Sequence, residues 1–480
     1  IIEALSDSTI YMVYYILAKY IAKEWMTFKK FEKDPDKLMD EFFDYIFLGR
    51  GDSAEVATIT AVPKRVLESI RKEFESFYPV DMRHSAKELI PNHFSFYIFN
   101  HVALFPRQYW PRGIAANGHV LMSGQKMSKS LQNIIPLRDA IKRFGADPVR
   151  IGVLATAEIG QDTDFSEELA LSIQDRLVTL LATARRLGKN PASRGKDRTR
   201  PVSLLDKWIL HRLNETIRST TTAMETLRVR ETIQKVLYQI ENDVAWYLRR
   251  LGPPKRTDRG TGKRADMRDQ ILQRVLETRA KMLAPLAPHV AEEIWSMLGG
   301  KGMLASASWP EPDDRFQDQD AEVSEDLVKQ VMEDTAEILK ATGIRPAKIT
   351  YYTSPELKWT IYLKAIEFVN SNSGATNGQS KLGDFIKSAM SEPTVRSQGK
   401  AAADYATKAY QQARQLQDQR TLRLKAGMIE EARILGDATN FFEREFKATA
   451  RVANAGSKEI VDPKDRARMA EPYRPAIYIE

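Results

Sequence analysis

Two lysines three residues apart, Lys126 and Lys129, sit in the stretch Gly124-Gln125-Lys126-Met127-Ser128-Lys129-Ser130. A small hydroxyl residue lies between them and a glycine precedes them, so the loop can bring two ammonium groups to one polyphosphate. A second polar cluster runs from Val80 to His93 and includes Arg83, His84, Lys87, Glu88, Asn92 and His93. Dense polar side chains between two apolar segments mark the kind of loop that carries a site on a rigid scaffold.

The elements that must hold these loops follow from periodicity. From Leu5 to Trp25, Ile10, Tyr14, Leu17 and Ile21 recur at helical spacing, with Ser6-Asp7-Ser8-Thr9 as a start signal. A charged stretch, Lys29 to Lys37, precedes a helix with Leu38, Phe42, Phe43 and Phe47 inward. Pro63 to Phe77 reads as a further helix that Tyr78-Pro79 ends. Ile114–Ala116 and Val120–Met122 read as short strands joined by a tight Asn117-Gly118 turn, an arrangement that aims the lysines from a hairpin edge. Beyond them Ile134 to Phe144 is helical.

Four long amphipathic segments come next, and long amphipathic helices with short loops predict a bundle. They are Phe165 to Leu187, Leu204 to Leu227, Val229 to Leu248 and Met267 to Leu298, the last bent by Pro285 and Pro288. Two basic connections, Gly188 to Arg200 and Leu251 to Lys263, interrupt them; facing RNA they would make sequence-blind phosphate contacts. The tail begins with a helix through Val323, Leu327, Val331 and Ile338. Alternation at Ile349 and Tyr351, and again at Trp359, Ile361 and Leu363, predicts two strands; a polar loop over 370–380, helices over 401–419 and 422–435, and a last strand at Ala476–Ile479 complete it.

Composition narrows the class. At 480 residues the chain exceeds one core, and roughly 150 residues per domain gives about three. Hydrophobic residues at 43% and charged residues at 28% fit a globular chain, and the net charge of +8 suits a polyanionic partner without requiring one. Cysteine is absent, which excludes disulfides and thiolate metal sites. The six histidines show no paired spacing, so no structural zinc and no protein-held metal site is expected. No apolar run approaches the roughly 20 residues of a membrane span. The opening Ile1-Ile2-Glu3 lacks Met and starts inside an apolar pattern, so the chain is expected to be a piece of something longer.

Lys126-Met127-Ser128-Lys129-Ser130 resembles the signature pentapeptide of class I aminoacyl-tRNA synthetases, and Gly145 to Arg150 resembles a further hallmark that follows it. Leu5 to Met12 is similar to the segment where archaeal and eukaryotic cytosolic leucyl-tRNA synthetases re-enter the catalytic domain, which implies an amino-acid pocket containing Ser8, Thr9 and Tyr11. Ser85 to His93 resembles the same enzymes' Ser-Gly-Lys-Asp-Leu-x-x-Asn-His stretch, with Ala86 in place of Gly and Glu88 in place of Asp. The resemblance implies that Lys87, Glu88, Asn92 and His93 approach ATP or the adenylate, with His93 also at the amino-acid end. Ala287 to Trp295 and Ser308-Trp309-Pro310 are similar to late anticodon-domain markers.

The implied architecture is an α/β remnant of a Rossmann-like catalytic domain (1–155), an all-α anticodon-binding-type bundle (156–311) and a small α/β C-terminal domain (312–480). The implied activity is leucine–tRNA ligation in the cytoplasm. Lys126 and Lys129, flanked by Met127, Ser128 and Ser130, would neutralise the ATP triphosphate with Mg²⁺ sharing the charge, and the partners would be leucine, ATP, tRNA(Leu) and other proteins at the C-terminal domain. Missing from the sequence are the family's His-x-Gly-His motif and its editing domain. The alternatives are an isoleucyl- or valyl-type enzyme and a non-catalytic tRNA- or protein-binding module.

Overall fold

The computed structural model describes residues 4–32, 38–127, 130, 133–189, 203–253, 263–371, 378–416, 419–457 and 460–480. The chain divides into two compact units, residues 1–175 with 223–233, and residues 176–222 with 234–480.

The first unit opens with the helix Ala4–Lys23. The helix runs through the expected Ser6–Thr9 start, and its buried side is Val13, Ile16 and Leu17 while Tyr14 is 64% exposed. The apolar stripe is therefore rotated from the Ile10/Tyr14 register. Aromatic residues on both faces of a helix blur the stripe that periodicity reads. The Lys64–Phe77 helix buries Val66, Leu67, Ile70 and Phe74 in the same core, alongside Phe42, Ile46 and Phe47, while Phe43 stays 40% exposed. Asp52 caps the helix Ser53–Thr60 by accepting from the Ala54 and Glu55 amides.

Short strands carry the polar loops. Strand β1 (Arg83–Ala86) pairs in parallel with β2 (Ile114–Asn117), from Arg83↔Ile114 to Ala86↔Asn117. Strand β3 (Val120–Met122) pairs antiparallel with β4 (Gln125–Lys126) and parallel with β5 (Thr163–Phe165). The expected hairpin between 114–116 and 120–122 therefore does not form: the two strands lie in different sheets. Gly118 explains the difference, because a Cβ there would lie 2.3 Å from the Gln161 carbonyl oxygen. It serves close packing against residues 161–162 rather than a two-residue turn.

The second unit holds the helical bundle. Its helices are Leu204–Glu225, apart from residues 223–225, then Ile240–Leu251, which follows a π-helical stretch, Gln234–Gln239, and Lys263–Leu283 and Pro288–Leu298; the short helix Val229–Ile233 belongs to the first unit. The predicted long fourth helix is two helices, since the chain breaks between Leu283 and Pro288 instead of bending there. Leu205, Ile209, Leu213 and Ile217 are all buried, as their spacing requires. The basic connections over 190–202 and 254–262 lie outside the described residues.

In the tail, the helix Gln319–Thr342 leads to a three-stranded sheet with the first of its strands in the centre. Strand β6 (Lys348–Thr353) is parallel to β7 (Thr449–Asn454) and antiparallel to β8 (Ala476–Ile479). Trp359–Leu363 belongs to the helix Glu356–Ser371 and is not a strand. Trp359, Ile361, Tyr362, Ala365 and Ile366 are all buried, and so wide a buried arc mimics alternation over a short window. Strand β7 went unpredicted.

Candidate active site

Parallel strands present their C-terminal ends to ligands, and one polar group of the first unit stands just past that end of β1. After β1 the chain enters a single 3₁₀ turn, Lys87–Leu89. The Lys87 ammonium pairs with Asp162 Oδ1 at 2.5 Å, and the same oxygen accepts the His119 amide at 2.8 Å. Glu88 Oε2 lies 3.8 Å from His119 Nδ1. Lys87 first, and then the His119 amide, hold the Asp162 carboxyl below its ordinary range. Ala86 has φ −103° and ψ 153°, so the extended backbone accepts its Cβ without strain where the related pattern has Gly.

The other end of β1 carries a different chemistry. Arg83 places its guanidinium 5.6 Å from the Tyr11 ring centroid, and one of its terminal nitrogens lies 3.4 Å from His93 Nε2. His93 is buried; desolvation, then the Arg83 charge, push its pKa down, so its imidazole is neutral at pH 7. Arg83 and Ala86 are three residues apart, roughly 10 Å along a strand. A charged Lys87–Asp162–His119 cluster and an aromatic–imidazole cluster thus stand at opposite ends of one short strand.

Thr9 is fully buried and its hydroxyl accepts from Asn100 Nδ2 at 2.6 Å, tying Ala4–Lys23 to the helix Ser95–Leu104; Ser8 beside it is half-buried. Asn92 turns its Oδ1 back to the His93 amide at 2.5 Å. Tyr11 also borders an apolar cavity of about 610 Å³ that includes Leu17, Phe47, Leu104 and Phe105. A volume of several hundred Å³ is ordinary for ligand sites.

Lys126 is exposed on β4 and makes no ion pair among the described residues. Its strand is reached through Ser123 and Gly124, both left-handed at φ 49° and 76°. Asp164 Oδ1 accepts the Gly124 amide at 2.8 Å, and Asn133 Nδ2 donates to the Lys126 carbonyl at 3.2 Å. Met127 is half-buried, Ser130 is exposed, and Ser128 and Lys129 lie outside the described residues. Sequence reasoning passed over Arg83, His119, Asp162 and Asp164 as site residues. Polarity of the 160–165 loop was the one local signal for the aspartates. Among the described residues no three carboxylate or imidazole groups converge on a metal position.

Residues 54–182 match the family described as tRNA synthetases class I (M), and residues 206–351 match the anticodon-binding domain of tRNA ligase. Leucine–tRNA ligase of Methanothrix thermoacetophila is 36% identical over 480 residues, covering 100% of this chain and 46% of the relative. The Pyrococcus abyssi leucine–tRNA ligase is 34% identical over 488 residues, again with 100% and 46% covered. A crystal structure of an Agrobacterium radiobacter K84 LeuRS-tRNA-LeuAMS ternary complex aligns over 67% of this chain and 35% of its own, with 16% identity and a TM-score of 0.42. The chain spans about half the length of the curated relatives it matches.

Proposed function

The chain is homologous along its whole length to part of the leucine–tRNA ligases, and from that premise we propose that it supplies the amino-acid pocket, the lysine loop and the tRNA-binding bundle of such an enzyme. In that reaction the leucine carboxylate attacks the α-phosphorus of ATP, the bond to pyrophosphate breaks, and the tRNA 3′-terminal hydroxyl then takes the leucyl group from the adenylate with AMP leaving. Both nucleophiles come from substrates, so the protein contributes positioning and charge stabilisation. Any Mg²⁺ travels with the triphosphate.

One observation carries the reading: β1 has the Tyr11–Arg83–His93 group at one end and the Lys87–Asp162–His119 group at the other, with Lys126 on the neighbouring sheet. Lys87, Lys126 and Lys129 take the polyphosphate, with Met127, Ser128 and Ser130 shaping the loop and Asn92 and Glu88 at the nucleotide. Tyr11, His93, Ser8 and Thr9 form or support the leucine pocket. Residues 1–155 are the catalytic portion, 156–311 the anticodon-binding-type portion, and 312–480 an appended domain for tRNA or protein contact, in a cytoplasmic enzyme. Among the described residues no helix is long and apolar enough to cross a membrane. The class (M) match supports the class I assignment, while the choice of leucine rests on the whole-chain relatives.

The test is leucine-dependent ATP–pyrophosphate exchange by the full-length gene product. Exchange is expected with leucine and not with methionine, isoleucine or valine, and the Lys126→Ala variant should lower it by roughly a hundredfold, as loss of one charge-stabilising contact does. The 480-residue piece alone should make no leucyl-adenylate. Exchange driven by another amino acid would overturn the reading.

A further inference from the structure

A cavity of about 560 Å³ lies in the C-terminal part of the second unit, and none of the residues that line it is among the site residues assigned above. The helix Gln319–Thr342 brings Gln330 and Asp334 to it, the helix Gln419–Ala426 brings Arg423, and Tyr473 and Arg474 come from a turn. Asp334 accepts from Gln330 Nε2 at 2.8 Å, and among the described residues no cation pairs with it. Among the same residues no carboxylate pairs with Arg423 or Arg474. One carboxylate and two guanidinium groups thus line a single space without neutralising one another. Arg423 is already oriented there: a terminal nitrogen donates to the Tyr362 phenol at 2.6 Å, and its guanidinium carbon lies 4.3 Å from the Tyr473 ring centroid. Tyr473 is only 7% exposed, yet its phenol oxygen has no hydrogen-bond partner. Its backbone is left-handed at φ 63°, held by the two Glu471–Arg474 backbone hydrogen bonds and by Glu431, which accepts the Tyr473 amide at 2.7 Å. A bulky residue in that conformation, and an orphaned buried hydroxyl on the wall of a cavity, are features that gather where a ligand binds.

The unpaired groups define the ligand. Two guanidinium groups and a phenol hydroxyl donate, which suits a carboxylate, and Asp334 accepts, which suits an ammonium group. Gln415 and Gln419 line the same cavity, and their amides both donate and accept. A nucleic-acid strand would also meet the arginines, but it carries a phosphate charge per nucleotide against the helix Gln319–Thr342, whose seven carboxylates (Asp320, Glu322, Glu325, Asp326, Glu333, Asp334, Glu337) outnumber its two lysines. A zwitterion brings both charges and no net repulsion. We propose that this cavity binds a free α-amino acid with a polar side chain, as its zwitterion. Arg423, Arg474 and the Tyr473 hydroxyl take the carboxylate, Asp334 takes the ammonium group, and the glutamine amides meet the side chain. The site is separate from the leucine pocket of the first unit and does not depend on the ligase reading.

The experiment measures binding of L-glutamine, L-asparagine, L-lysine and L-glutamate to the full-length protein by ligand-observed NMR. L-glutamine is then compared with L-glutaminamide, which lacks the carboxylate, and with N-acetyl-L-glutamine, which lacks the ammonium group. Wild type should bind L-glutamine about tenfold or more tightly than either derivative, since each has lost a charge-assisted contact. Arg423→Met should weaken L-glutamine by roughly tenfold or more and abolish its advantage over L-glutaminamide. Asp334→Asn should abolish its advantage over N-acetyl-L-glutamine and leave the advantage over L-glutaminamide in place. Near-UV circular dichroism checks the fold of each variant, and Asp334→Asn, which changes no packing, carries the test if Arg423→Met misfolds. Failure of all four amino acids to bind overturns the inference, as does equal binding of L-glutamine and its two derivatives. Displacement of L-glutamine by an equal concentration of single-stranded oligouridylate overturns it in favour of a nucleic acid.

Discussion

Replacing Gly118 by alanine puts a methyl group where the structure has no room for one. The new Cβ would lie 2.3 Å from the Gln161 carbonyl oxygen and 2.4 Å from Asp162 Oδ1. Restoring ordinary contact requires a shift of about 1 Å, and the atoms in the way are a backbone carbonyl and a carboxylate already engaged on two sides. Asp162 holds Lys87 and the His119 amide, and the Thr163 amide donates to the His119 carbonyl at 2.9 Å. The displacement therefore loosens the β3–β5 ladder and unseats Lys87 together. Forcing one methyl group into a packed site costs about 1–3 kcal/mol, and 2 kcal/mol corresponds to about thirtyfold in local opening. Native-state hydrogen exchange reads this directly at Thr163 and at Ser123, whose amide donates to the Phe165 carbonyl. Gly124→Ala is the control. It has φ 76° with no atom within 4 Å of the added Cβ, so it carries left-handed strain of about 1–2 kcal/mol and no clash. Unchanged exchange at Thr163 and Ser123 in Gly118→Ala would refute the argument. So would a pattern in which Gly124→Ala leaves Lys87 less firmly held than Gly118→Ala does, read from the Lys87 side-chain resonance.

Two buried histidines give the first unit a pH dependence. Burial pushes both His93 and His101 below the ordinary 6.5, so the unfolded chain takes up these protons first and stability falls as pH drops through about 6.5. Urea midpoints at pH 7.5 and 5.5 should differ in that direction, and His101→Asn should shrink the difference; a rise in midpoint on acidification would contradict it. Glu431 runs the other way: burial pushes its carboxyl up to about 7 from 4.5 while it accepts from the Ser354 and Tyr473 amides. Its stabilisation is complete below pH 4.5 and disappears as pH rises through 7, so exchange at the Tyr473 amide, corrected for intrinsic rate, should speed up between pH 5 and 8 in wild type and stay flat in Glu431→Gln. Arg279, buried, donates from Nε to the Val236 carbonyl at 2.8 Å and from a terminal nitrogen to the Leu237 carbonyl at 2.6 Å, both in the π-helical stretch. Arg279→Met orphans two carbonyls while relieving a desolvated charge, for a net loss of about 2 kcal/mol and a lower melting temperature for the second unit.

Local chemistry made much of the molecule legible in advance. The helix ending at Tyr78-Pro79, the stripe Leu205–Ile217 and the last strand at 476–479 each record, in one segment's own spacing, which face it buries. The lysine loop was legible for the same reason, since its chemistry is contained in consecutive residues. What local pattern cannot hold is the identity of a distant partner. Strand β2 could have turned back on β3, and the alternation fitted that equally well; it pairs instead with β1, 31 positions earlier, because Gly118 packs against residues 161–162. The Lys87–Asp162 pair spans 75 positions, and the meeting of Arg83 with Tyr11 and His93 becomes visible only when every neighbour is in place. Types and spacings of side chains thus determined a two-lysine loop whose chemistry suits a polyphosphate, and a helical bundle. Chain closure alone decided which charges meet, because contact between remote segments depends on how the whole core packs and leaves no period in either segment.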